Sequence, residues 1–120
     1  MLGCKAVDML SEIYDRGNKY IASFVKAVFD AYDMAYKHIK ADGIIPSGKA
    51  MLNALEMGIG KIHRDGYHAT LGAGRYLLAL CWYKFLTGQD ISNDKFNCFD
   101  EKITKKEREI VINAVNKAFD

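Results

Sequence analysis

The chain has 120 residues, of which 50% are hydrophobic, 27% charged and 12% aromatic, and 17 Lys plus Arg against 15 Asp plus Glu leave a formal charge of +2. This size suits a single domain over residues 1–120 with a sizeable core, and the apolar share excludes a disordered chain. No basic block is present of the kind that grips a phosphate backbone, and the longest apolar run, the eight residues from Tyr76 to Tyr83, falls far short of the roughly 18 that span a bilayer, so neither nucleic acid nor a membrane is expected as a partner.

Cys4, Cys81 and Cys98 make an odd, widely spaced set without a CxxC pair, which suits a reducing compartment. With no export signal behind Lys5, the expected location of the chain as given is the cytoplasm. No cofactor or metal is expected.

In chain order, Val7, Leu10, Ile13 and Tyr14 share a helical face and predict a short helix over residues 5–15. Asn18 is a candidate N-cap for the strongest helical pattern, in which Ile21, Phe24, Val25, Val28, Tyr32, Ala35, Tyr36 and Ile39 recur at three- and four-residue steps. Within it, the tyrosines Tyr20, Tyr32 and Tyr36 read as core packing. Gly43 is the expected left-handed terminator. Ile44-Ile45 before Pro46 predicts a very short strand or extended connector. Ser47 is placed to cap a helix that buries Ala50, Met51, Ala54 and Leu55.

The stretch 61–69 has charge, Gly66 and two histidines without periodicity, which is loop chemistry. From Thr70 a helix is expected with Leu71, Leu78, Cys81, Trp82 and Phe85 on its buried face and Leu77 and Leu80 broadening the stripe, ending at Thr87-Gly88. The polar stretch 89–102 reads as a surface loop. Thr104 and Glu107 have capping-box spacing for a last helix that buries Val111, Ala114, Val115 and Ala118. The expected fold is therefore mainly α, with four to five amphipathic helices and at most one very short strand.

Chemistry concentrates in Arg64-Asp65-Gly66-Tyr67-His68. A carboxylate three residues before a histidine on a turn can reach the imidazole Nδ1, fix its tautomer and free Nε2 as a general base. The same spacing also suits a surface Asp–His pair with no catalytic duty. His63, Asp65 and His68 offer metal-type ligands but lack a recognised zinc spacing. Gly58-Ile59-Gly60-Lys61 and Gly72-Ala73-Gly74 complete no phosphate-loop motif, so close packing of helices is the simpler reading. Cys81 reads as a core residue and Cys98 as an exposed thiol.

The blocks Ile44-Ile45-Pro46-Ser47-Gly48, Arg64 to His68, Gly72 to Ala79, Trp82-Tyr83, Leu86-Thr87-Gly88 and the late Ile103-Thr104 to Glu107 keep an order that resembles the C-terminal part of SGNH/GDSL-type serine hydrolases, over residues 18–120. The resemblance implies the C-terminal part of an α/β/α fold and an esterase whose D-x-x-H block supplies the acid Asp65 and the base His68. The family's G-D-S nucleophile block and its oxyanion-hole glycine and asparagine have no counterpart here. None of Ser11, Ser23, Ser47 and Ser92 follows a Gly-Asp pair. The expectation is a hydrolase portion that is inert alone and acts on an ester only when a missing N-terminal half complements it. The alternative is a non-catalytic helical interaction or oligomerisation module. Helices that would cover an absent sheet expose apolar stripes, so a homo-oligomer is expected.

Overall fold

A computed structural model describes residues 19–65 and 68–120, with side chains from residue 25 onward. Within them lie four helices, α1 (Lys19–Ile39), α2 (Ser47–Glu56), α3 (Ala73–Thr87) and α4 (Lys105–Ala118). No sheet forms among the described residues. The only ladder contact there is a single antiparallel bridge between His63 and Ala69, and Ile44-Ile45 is not a strand. The expected helix at 5–15, its neighbour Asn18, the side chains of Tyr20, Ile21 and Phe24, and Cys4 lie outside what is described.

The core follows from the apolar faces of the last three helices. Ala50, Met51 and Ala54 of α2 meet Ile110, Val111, Ala114 and Val115 of α4, while Tyr76, Leu77, Leu80 and Cys81 of α3 close the third side. The small residues Ala50, Ala54 and Ala114 are fully buried, which lets α2 and α4 approach most closely. Asn53 spans the seam, its Nδ2 donating to the Ala114 carbonyl at 3.1 Å. Helix α1 joins this unit only through side chains, with Val25 buried against Val28, Phe29 and Leu52.

The helix ends show which local rules won. Thr104 and Glu107 form the expected capping box: the Glu107 amide donates to Thr104 Oγ1 at 3.0 Å and the Thr104 amide to Glu107 Oε2 at 2.7 Å. Gly88 closes α3 in the left-handed conformation. Two expectations are corrected. The left-handed residue after α1 is Lys40, with φ 52°, and Ala41 N–H returns to the Tyr36 carbonyl three residues before Gly43 is reached. Gly43 is needed for a different reason, since a Cβ there would stand 2.5 Å from Phe85 Cζ. Ser47 caps nothing; Pro46 holds the N-cap position of α2 without a side-chain hydrogen bond, and the Ser47 hydroxyl lies against the Cys81 thiol.

Helix α3 buries the expected Leu77, Leu80 and Cys81 but not the expected Trp82. Its buried residues are Ala73, Gly74, Tyr76, Leu77, Leu80 and Cys81, whereas Trp82 is 55% exposed. The segment Tyr76 to Phe85 is apolar on nearly every side, so periodicity alone cannot select a face. The small residues Ala73 and Gly74 decide it by permitting close contact.

Two buried acids tie stability to alkaline pH. Burial, followed by the hydrogen bond to Asp94, pushes the Tyr76 phenol up to about 12 from 10.0. Burial raises the Cys81 thiol to about 12 from 9.0, opposed only by Ser47. Each group keeps its proton in the fold at pH values where the unfolded chain releases it, so the stabilisation is complete below pH 9 and fades as pH rises toward 12. Urea midpoints should therefore fall steadily between pH 9 and 12, and Cys81→Ala should flatten the lower part of that decline.

Candidate functional site

Residues 57–72 connect α2 to α3. Gly58 and Gly60 take positive φ values of 87° and 82°, which turns the chain after α2 and sends it into a narrow hairpin. Across this hairpin Thr70 N–H donates to the Ile62 carbonyl and Arg64 N–H to the His68 carbonyl, both at 2.9 Å. Ile62 and His63 are buried and anchor it to the core, while Arg64, Asp65 and His68 are held at the surface.

At the hairpin tip the Asp65 carboxylate makes two contacts with one residue. Its Oδ1 accepts from the His68 backbone N–H at 2.6 Å, and its Oδ2 lies 2.7 Å from His68 Nδ1. An ionised carboxylate can only accept, so the ring nitrogen facing it is the protonated one, which in a neutral ring leaves the lone pair on Nε2. Binding both backbone and ring fixes the imidazole in position and in tautomer. The two side chains remain 45% and 47% exposed, so the imidazole is within reach of a second molecule. The short D-x-x-H spacing thus brings its two members together.

The other singled-out residues separate. His63 is buried, 5% exposed, whereas Asp65 and His68 are exposed. Among the described residues no three His, Cys, Asp or Glu side chains gather as metal ligands. Ser47 sits beside Cys81, roughly 10 Å along α3 from the end that carries the hairpin. Ser92 Oγ donates to Asp90 at 2.7 Å in the surface loop and helps hold that carboxyl below its usual range. Cys81 is buried and Cys98 exposed.

Three features have no clear signature in the sequence. Thr70 Oγ1 accepts from Gly74 N–H at 2.8 Å and welds the hairpin to the first turn of α3; a threonine four residues before a helical glycine was its only trace. A cluster of Tyr76, Asp94 and Arg108 ties the 89–102 loop to the bundle. A cleft of about 490 Å³ opens between α1, the 44–46 connector, the first turn of α2, α3 and the end of α4, lined by aromatic residues that include Phe29, Tyr32, Trp82, Phe85 and Phe119. Tyr32, expected in the core, is 39% exposed there. The cleft lies toward the opposite end of α3 from Asp65 and His68, so it is not the pocket of that pair.

Residues 7–118 match the family described as "Domain of unknown function (DUF4886)". The chain belongs to that family. The match takes in all four helices, the hairpin with Asp65 and His68, and the cleft. No curated protein and no solved structure matches the chain. Among the described residues no helix is long and apolar enough to cross a membrane.

Proposed function

We propose that this member of the DUF4886 family supplies the acid–base portion of an SGNH-type serine hydrolase, with Asp65 orienting His68 and the serine nucleophile provided by another segment. The double contact of Asp65 with the backbone and the ring of His68 supports this reading, because it prepares an imidazole for proton transfer more fully than a chance surface pair requires. In the complemented state His68 Nε2 takes the proton from the serine hydroxyl as the oxygen attacks an ester carbonyl. It then passes that proton to the departing alcohol, and water hydrolyses the acyl-serine by the same route.

Alone, the chain lacks nucleophile and oxyanion donors, each worth several kcal/mol of barrier, and is inert. A fluorophosphonate probe should label no serine in the isolated chain. Ester cleavage should appear on mixing with a segment that carries a G-D-S block and drop about 10³-fold or more with His68→Ala. In the isolated chain, long-range ¹H–¹⁵N correlation should show neutral His68 protonated at Nδ1, shifting toward the other tautomer in Asp65→Asn. A labelled serine in the isolated chain, or an Nε2-protonated ring in the parent chain, would refute the assignment.

The exposed apolar side chains Met34, Ile39, Trp82, Tyr83 and Leu86 favour a second reading, a helical interaction module with no catalytic duty. On that reading His68→Ala changes neither association nor any activity.

A further inference from the structure

We infer that the aromatic cleft is a self-association surface that seats a second copy of this chain about a two-fold axis. This does not depend on the hydrolase reading, since the cleft and the Asp65–His68 hairpin lie at different ends of α3.

Part of the exposed apolar surface adjoins the cleft. Tyr32 and Trp82 line it and are 39% and 55% exposed. One helical turn beyond Trp82 stands Leu86, and two turns beyond Tyr32 stands Ile39; both are 69% exposed and lie on the same helix faces as the cleft residues. The apolar surface therefore continues from the concave floor onto projecting side chains at its rim. A patch that combines a hollow with adjoining knobs can pair with a copy of itself, the knobs of each chain entering the hollow of the other.

The charges on the cleft are complementary in the same way. Asp33 and Lys49 are the charged residues that line it, and both are exposed. Neither takes part in a salt bridge among the described residues. A two-fold axis makes every contact occur twice with exchanged partners, so an anion and a cation on one face allow Asp33 of each chain to stand opposite Lys49 of the other, and this is the pairing the proposal adopts. The net charge of only +2 puts little repulsion in the way of association. A standard interface buries about 800 Å² per partner, about a tenth of the 7912 Å² surface, so the dimer must engage the apolar rim as well as the cleft.

Sedimentation equilibrium over a concentration series on the full chain tests this. The parent chain should show a monomer–dimer equilibrium in the micromolar range, and Leu86→Glu should be monomeric. Lys49→Asp and Asp33→Lys should each weaken dimerisation about tenfold, because each places like charges at two symmetric contacts. The double exchange D33K/K49D should restore it. All three positions are exposed, and far-UV circular dichroism melts check that each variant folds as the parent does. A parent chain that stays monomeric to high micromolar concentration overturns the proposal, whether the cleft is then found to hold another protein or a small apolar molecule. So do open-ended association, and a dimer indifferent to both single charge reversals.

Discussion

Gly74→Ala should destabilise the fold by about 2 kcal/mol, although alanine is ordinarily the better helix residue by 0.5–1 kcal/mol. The added Cβ would stand 2.5 Å from the Ile62 carbonyl oxygen, 2.8 Å from Thr70 Oγ1 and 3.0 Å from Ala69 Cβ. Two of these are backbone or a hydroxyl already committed to a hydrogen bond, so none can yield as a flexible side-chain tip would. Either α3 retreats or the hairpin does. Overpacking of this kind costs about 1–3 kcal/mol, and moving the helix end also weakens the bond from Gly74 N–H to Thr70 Oγ1 at 2.8 Å, worth about 1 kcal/mol. Urea denaturation gives the loss directly.

The same substitution connects the fold to the candidate site. Thr70, Ala69 and His68 are successive residues of one hairpin arm, so a shift forced at Thr70 carries to His68. The His68 imidazole resonances should move in Gly74→Ala even though the substituted residue touches neither His68 nor Asp65. Unchanged resonances together with a full loss of stability would show that the hairpin tip is positioned independently of α3.

What could be read beforehand divides by the range of the interaction. The capping box at Thr104 and Glu107, the terminator Gly88 and the Asp65–His68 contact each arise within four residues, where chain geometry leaves few alternatives. The glycine pairs do not serve the close helix packing expected of them: a Cβ at Gly58 or Gly60 would meet nothing within 4 Å, and Gly72 and Gly74 lie against Glu101, Ile103 and the hairpin residues Ile62, Ala69 and Thr70 rather than against a helix. The errors occur where a long-range contact outranks a local preference. Gly43 was expected as the left-handed terminator by composition, yet the nearby Phe85 ring claims the space its Cβ would fill, and Lys40 accepts the positive φ. Ser47 was expected as a cap, yet its hydroxyl faces Cys81 across the α2–α3 contact. The strong helical periodicity of α1 was read as a buried face, but beyond Phe29 most of that helix is exposed. Amphipathicity states that a face requires a partner without naming the partner.

Tyr76 is the residue on which the second large effect depends, and it had no signature beyond its place in an apolar run. It is 2% exposed, its hydroxyl donates to Asp94 Oδ2 at 2.6 Å, and it accepts from Arg108 Nη1 at 3.1 Å. Arg108 also lies 5.2 Å from the ring centroid and donates to the carbonyls of Asp94 and Phe96. On its other side the ring meets Phe99 at 5.1 Å between centroids. One side chain thus holds the 89–102 loop to α3 and α4 by both packing and polar contacts.

Two substitutions separate these roles. Tyr76→Phe keeps the ring and removes the hydroxyl, leaving Asp94 and Arg108 3.8 Å apart and free to close on each other, so the expected cost is about 1 kcal/mol. Tyr76→Ala also opens a cavity between α3, α4 and the loop, with an expected cost of about 3–5 kcal/mol. The loop responds differently as well. It continues through Glu101 and Ile103, which press on Gly72 at the start of α3, and Asp100 pairs with Arg75 at 2.8 Å. Amide exchange across 89–103 should therefore accelerate strongly in Tyr76→Ala and only slightly in Tyr76→Phe. Equal acceleration in both would mean that the hydroxyl network, rather than the ring, holds the loop in place.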